Sequence, residues 1–293
     1  MSILVDSDTR VLFQGLTGAT ATRMAERAIA SGTQVVGGVT PGKGGRRHLN
    51  LPVFDSVAEA VAETRPDATA VFVPPAAAAE AMIEAIEAEL PLVVCVTERI
   101  PVLDMVRVRQ ALAGTGTRLI GPNSYGIISP GACRIGVMPD RPHTPGRVGI
   151  LSRSATLAYE AVAQTTRFRL GQSTSLGIGG DPVHGLGFVE GLELFLADPA
   201  TDGIVLIGEI GGREEQEAAA FLRERKPKKP VVAYVAGVDA PPERRMGHAG
   251  TVDLLGQGDA MEKIRALEQA GVVMVESAGL IGHAMRQALD GVT

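Results

Sequence analysis

At 293 residues, 45% of them hydrophobic and 21% charged, the chain is long enough for two ordinary domains with sizeable cores. Its formal net charge of -5 argues against general nucleic-acid binding, and no apolar run is long enough to span a bilayer. The polar first ten residues, with Asp6 and Asp8, read as neither signal nor transit peptide, and Cys95 and Cys133 have no metal-ligand spacing, so a cytoplasmic protein without a structural zinc is expected.

The 36 glycines cluster between short apolar runs, the pattern of an α/β protein with tight strand-to-helix turns. Val11 to Gln14 reads as a strand, Gly15-Leu16-Thr17-Gly18-Ala19-Thr20-Ala21 as a turn, and the stretch to Ala30 as a helix. That is the start of a Rossmann-type unit, with Ala21 where a third glycine often stands. Its glycines let backbone N–H groups and a helix N-terminus face a phosphate.

A second strand, Gln34 to Gly37, leads into Gly38-Val39-Thr40-Pro41-Gly42-Lys43-Gly44-Gly45-Arg46-Arg47-His48, with no acid before Asp55. A NAD site needs an Asp or Glu near that strand end for the ribose hydroxyls. This basic loop suits a phosphorylated ribose or a pyrophosphate instead. Lys43 is read as a phosphate contact, against the plainer reading of a solvated loop lysine. Gly37 to Gly44 approaches a Walker A loop, but Gly44 stands where a magnesium-binding Ser or Thr is needed, so ATP is not expected here.

Strands are expected at Ala68 to Val73, Leu92 to Val96 and Arg118 to Ile120, with helices up to about Glu89 and after Pro101. The last of these strands ends in Gly121-Pro122-Asn123-Ser124-Tyr125-Gly126. In a parallel sheet the loops at the carboxyl ends share one edge, which gathers Thr17, Lys43, Thr97 and Asn123 around one crevice. Ser124 and Tyr125 are expected to face it. Cys95, inside a strand, is expected to be a buried small hydrophobe.

Residues 131–146, rich in Gly and Pro, read as a linker between domains at 1–130 and 147–293. A second alternating set begins at Val148 to Leu151. Ser152-Arg153-Ser154-Ala155-Thr156 follows, then a helix through Thr165 that Ser154 caps, either facing an anion or as a plain structural cap. Further strands are Gln172 to Leu176, before Gly177-Ile178-Gly179-Gly180-Asp181-Pro182, and Gly203 to Ile207, before Gly208-Glu209-Ile210-Gly211-Gly212. Val231 to Val235 and Val272 to Val275 complete the sheet, and a helix ends the chain.

His248 stands between Gly247 and Ala249-Gly250, after Arg244 and Arg245. Neutral imidazole is a competent nucleophile near neutral pH, and small neighbours admit a bulky phosphoryl group. The alternative is a histidine in a tight exposed turn. Glu209 ends one strand as the His248 loop follows another. If those strands are adjacent, the carboxylate fixes one ring nitrogen and leaves the other free to attack. His48, His143, His184 and His283 are expected at the surface.

These motifs carry a resemblance. The segments Gly37 to Gly45, Gly121-Pro122-Asn123, Ser152-Arg153-Ser154, Gly177 to Pro182, Gly208 to Gly212 and Arg245 to Gly250 resemble the alpha-subunit family of succinyl-CoA synthetase, or succinate–CoA ligase, over almost the whole chain. The resemblance implies an α/β architecture: an N-terminal Rossmann-type CoA-binding domain, then a flavodoxin-like parallel α/β domain with a phosphorylated histidine. It also implies a beta subunit with an ATP-grasp site for ATP or GTP and magnesium, in a heterodimer or an α2β2 heterotetramer. Thr17, Gly18, Ala19, Thr20, Lys43, Val96, Thr97 and Glu98 would bind CoA. Tyr159, Asn123 and Ser124 would face a small dicarboxylic acid. His248 would carry the phosphoryl group and Glu209 would orient it.

The chain departs from the family pattern in three places. Ser124-Tyr125 replaces Cys-Pro, Ala155 replaces Gly, and Thr251-Val252-Asp253-Leu254-Leu255 replaces an apolar glycine-rich run. The reaction type stands, and the acid opens to malate or another substituted dicarboxylate. A NAD(P) oxidoreductase is disfavoured by the missing acid after the second strand, and a non-catalytic CoA-binding regulator by Glu209 and His248.

Overall fold

Fully apolar short runs alternate with amphipathic ones, and they become the strands and helices of two units. The computed structural model describes residues 2–139, 141–241, 247, 248, 251 and 259–291. Arg244, Arg245, Met246, Ala249 and Gly250 of the histidine loop, and Val252 to Leu255 after it, lie outside the described residues.

The first unit is Leu4–Met138 together with Val183–Leu186. Its elements are β1 (Arg10–Gln14), α1 (Ala19–Ala30), β2 (Gln34–Val39), β3 (Arg47–His48), β4 (Leu51–Phe54), α2 (Val57–Thr64), β5 (Ala68–Val71), α3 (Pro75–Glu87), β6 (Leu92–Cys95), α4 (Val102–Leu112), β7 (Arg118–Ile120), β8 (Gly126–Ser129) and β9 (Cys133–Gly136). The sheet order is β3-β4-β2-β1-β5-β6-β7, parallel except for β3 against β4. Every residue of β5 and β6 is buried, Cys95 among them, as expected of strands covered on both faces. Leu12, Val71, Val93, Met82 and Met105 form the centre of the core. The chain turns one way from β1 to β2 and the other way to β5, so the switch point lies between β1 and β5, where open α/β sheets bind ligands.

The stretch 131–146 is not a linker throughout. Cys133–Gly136 is β9, paired antiparallel with β8 and buried at every position. Gly136 serves close approach rather than looseness: it has φ of 137°, and a Cβ on it would lie 2.0 Å from the Tyr125 carbonyl oxygen.

The second unit is Pro139–Pro182 and Gly187–Thr293, with Met1–Ile3. It contains β10 (Pro145–Ser152), α5 (Ala155–Arg167), β11 (Gln172–Gly177), α6 (Phe188–Ala197), β12 (Gly203–Glu209), α7 (Glu214–Arg225), β13 (Val231–Ala236), α8 (Ala260–Gln269), β14 (Val273–Met274) and α9 (Ile281–Leu289). Its strands run parallel in the order β14-β13-β12-β10-β11. Numbered within the unit this is 2-1-3-4-5, the flavodoxin-like order, whose switch point falls between its first and third strands. Those are β10 and β12.

The units are not two contiguous blocks of sequence. Residues 183–186 belong with the first unit, where Gly185 N–H donates to the Gly121 carbonyl at 2.9 Å and Leu186 N–H to that of Leu119 at 2.7 Å. His184 lies in this segment and is 8% exposed, so the expectation that it is a surface residue fails. His283 is exposed, and His48 and His143 are half-buried. Among the described residues no helix is long and apolar enough to cross a membrane.

Candidate active site

In the first unit, β1 ends at a glycine turn. Gly15 has φ of 81°, and its N–H donates to the Val39 carbonyl at 2.8 Å. Gly18 N–H donates back to the Gly15 carbonyl at 2.8 Å, and α1 begins at Ala19. No side chain caps this helix and no acid lies in its first turn. Gly18, Ala19 and Thr20 are exposed, so the positive end of the helix is open to an anion. Lys43 reaches the same turn: its Nζ donates to Thr17 Oγ1 at 2.9 Å. A cavity of about 470 Å³ opens at the switch point, lined by Gln14, Gly15, Val39, Val73 and Glu80 among others.

Gly44, where a Walker loop would need a hydroxyl, has a different task. Its N–H donates to Asp55 Oδ1 at 2.8 Å, and a Cβ would lie 2.5 Å from Asp55 Oδ2. A serine or threonine here would have to push the Asp55 carboxylate aside.

Val96 and Thr97 are half-buried and Glu98 exposed beyond the end of β6. Thr97 Oγ1 donates to the Val73 carbonyl at 2.7 Å, and the Thr97 carbonyl accepts from Asn123 N–H at 2.9 Å. Thr97 and Asn123 are thus brought together, as are Thr17 and Lys43. Asn123 has φ of 53° and is half-buried. Ser124 and Tyr125 do not face an open crevice: each is 3% exposed. Ser124 Oγ accepts from Gly126 N–H at 2.9 Å, and the Tyr125 carbonyl accepts from Val137 N–H at 3.0 Å, so both side chains turn inward where the β8–β9 hairpin begins.

In the second unit, β12 and β13 are neighbours, and the condition set for Glu209 is met. His248 Nδ1 lies 2.9 Å from both Glu209 oxygens. A carboxylate only accepts, so Nδ1 carries a proton, and in the neutral ring Nε2 keeps its lone pair. The hydrogen bond to Glu209 raises the His248 pKa, against burial and the Arg153 charge, and Asp181 raises it further. The ring lies over Gly180, where a Cβ would be 2.6 Å from the imidazole.

Beneath the histidine is a buried set of charges. Arg153, 7% exposed, follows β10 at the switch point, and its N–H donates to the Ile207 carbonyl at 3.1 Å. Its guanidinium donates to Glu214 at 2.8 Å and stands 3.9 Å from Glu209 and 3.8 Å from Glu215. Burial pushes the Arg153 pKa down, but Glu215, Glu214 and Glu209 more than offset it and hold the group above its ordinary range. Ser154 caps α5 beside it, accepting from Leu157 N–H at 3.4 Å. Tyr159 is half-buried farther along α5.

The two units match two families in chain order. The CoA binding domain family matches residues 6–99 and the CoA-ligase family residues 151–273. The succinate–CoA ligase [ADP-forming] subunit alpha of Aquifex aeolicus is 48% identical over 291 residues, 99% of this chain and 95% of that one. That of Staphylococcus epidermidis is 47% identical over 288 residues, 98% and 95% of the two chains. The chain belongs to the succinate–CoA ligase alpha-subunit family.

The likeness extends to solved structures. ATP citrate lyase of Methanosaeta concilii, in complex with (3S)-citryl-CoA, aligns with a TM-score of 0.88 at 25% identity, over 99% of this chain and 51% of that one. That of Methanothrix soehngenii, with citrate and coenzyme A, aligns with a TM-score of 0.87 at 26% identity. This chain spans about half the length of either lyase chain.

The sequence motifs singled out the histidine and its carboxylate but missed the charged groups packed beneath them. Arg153 stood in a quoted motif without a role. Glu215 and Lys263, both 0% exposed, had no motif at all. Helical spacing is the signal that would have found them. Glu215 shares the buried face of α7 with Ala218, Ala219 and Leu222, and Lys263 shares that of α8 with Ala260 and Leu267.

Proposed function

We propose that this chain carries both CoA and the transferred phosphoryl group in a ligase that makes succinyl-CoA. Its nucleotide would sit on a beta subunit with an ATP-grasp domain. The observation that carries this reading is His248 Nδ1 held by both oxygens of Glu209, which leaves Nε2 as the attacking nitrogen. The nucleoside triphosphate, with magnesium on the partner, gives its γ-phosphoryl group to Nε2; the P–O bond breaks and the diphosphate leaves. A succinate carboxylate oxygen then attacks phosphorus and the N–P bond breaks, forming an acyl phosphate. The CoA thiol sulfur attacks the acyl carbon, its proton leaves with inorganic phosphate, and the thioester remains.

Thr17, Gly18, Ala19, Thr20 and Lys43 would hold CoA phosphates, with Val96, Thr97 and Glu98 along its length. Asn123 and Ser124 would shape its acyl end, Ser124 through the turn it braces. Tyr159 would contact the acid. The ADP-forming names of the relatives support ATP over GTP. The burial of Ser124 and Tyr125 supports succinate over malate, because neither side chain is open to pair a substrate hydroxyl. Assembly would be αβ or α2β2, in the cytoplasm.

The test uses the chain with its purified beta partner and γ-labelled ATP. Acid-labile, base-stable label should appear on the alpha chain and be absent from His248→Asn. The alpha chain alone should bind CoA in preference to NAD or NADP and hydrolyse no ATP. Equal label on His248→Asn would end this reading.

A further inference from the structure

Lys263 is fully buried on α8, and its ammonium is spent on the backbone around Glu209. Nζ donates to the Glu209 carbonyl at 2.7 Å, to the Gly211 carbonyl at 2.5 Å and to Oε2 of Glu215. The other Glu215 oxygen accepts from Glu209 N–H at 3.1 Å. One ion pair therefore grips the peptide groups on both sides of the Glu209 Cα. Residue 208 makes room for it: a Cβ on Gly208 would lie 2.6 Å from Glu215 Cγ.

Stability alone is a poor reason for such a pair. Desolvating two charges cancels much of their attraction, and apolar replacements of like volume are often neutral or stabilising. What the pair does fix is the one residue that bonds the imidazole. We propose that Lys263 and Glu215 are positioning residues for phosphoryl transfer, locking the Glu209 backbone so that its carboxylate stays on Nδ1 of His248. This rests on His248 being the phosphoryl acceptor. The pair connects α7 and α8 to the chemistry without touching the reacting nitrogen.

Among the described residues, the charged groups around the imidazole are Glu209 from β12, Arg153 from the turn before α5 and Asp181 from the loop after β11. Glu214 and Glu215 of α7 face Arg153, and Lys263 of α8 faces Glu215 and the Glu209 carbonyl. With Glu209 loosened, the imidazole loses the contact that most strongly favours its charged form. Its titration then moves down, toward the ordinary histidine value, and the Nδ1–H tautomer loses its preference.

The experiment uses the full chain with histidine-selective 15N labelling, as wild type, Lys263→Met, Glu215→Gln and the double variant Lys263→Met with Glu215→Leu. The ring-nitrogen shifts of His248 are followed against pH. Phosphorylation by phosphoramidate, a small donor that needs no partner, is timed alongside thermal unfolding. Wild type should hold the Nδ1–H tautomer. The double variant, whose apolar side chains no longer bond the Glu209 and Gly211 backbone, should unfold at a lower temperature but stay folded in the assay, with a lowered titration, mixed tautomers and phosphorylation slowed roughly 10- to 100-fold, the cost of a misplaced reacting group. Lys263→Arg should recover part of the rate and of the titration shift. A folded double variant with wild-type titration and tautomer would overturn the proposal, and so would the same result in Glu215→Gln. If wild type takes no phosphoryl group while the titrations shift as stated, the phosphohistidine reading falls and the hold on Glu209 stands.

Discussion

The two units build their candidate sites in opposite ways. The turn before α1 offers backbone N–H groups, exposed residues and one exposed lysine, with no carboxylate in its first turn. The site under His248 is built from side chains: Arg153 and Glu209 are each 7% exposed, and Glu215 and Lys263 are at 0%. Charges in water are screened within about 10 Å at ordinary salt, whereas buried ones are screened far less. The first site therefore suits a ligand that binds and leaves, and tolerates loss of any one group. The second holds a single imidazole in one tautomer, and each member leans on the next.

Arg153→Met attacks the buried site and should have the largest effect. It leaves Glu209, Glu214 and Glu215 facing one another without their shared cation. Removing one partner of a buried pair costs about 3–5 kcal/mol, which urea unfolding of the chain would show. A loss under about 1 kcal/mol, the range of surface pairs, would mean that water reaches this cluster and would erase the contrast between the sites.

Gly180→Ala tests the same site by volume instead of charge. The new methyl would stand 2.6 Å from the His248 ring, so the imidazole must shift. A shift of about 1 Å in a reacting group costs on the order of 100-fold in rate. Phosphorylation should slow accordingly while CoA affinity, set in the other unit, holds. Loss of CoA affinity with an unchanged phosphorylation rate would invert the assignment.

Lys43→Ala should have the smallest effect. A single exposed cation contributes about 1 kcal/mol or less, so KM for CoA should rise up to roughly fivefold, and less so at high salt. Unfolding stability should not change. A collapse of activity would show that the turn depends on Lys43 as the other site depends on Arg153.

Sequence alone determined the alternation of strands and helices, because apolar runs and glycine punctuation act locally. It also singled out His248, Glu209 and the turn at Thr17 to Thr20 as candidates, because an imidazole between small residues, a carboxylate after a strand and a glycine turn are each legible in a few adjacent residues. Their pairing required β12 beside β13, a fact of sheet order that no local pattern contains. The same holds for residues 183–186, which leave the second unit for the first and bury His184, and for Gly136, which serves a hairpin. Ser124 and Tyr125 read as a crevice wall and turned inward, because the next strand begins there. Lys263 shows the limit most plainly. A lysine is normally a solvated residue, and only the packing of α8 over the end of β12 makes its charge a support for Glu209. Local chemistry singles out the candidate group; long-range packing decides what holds it in place.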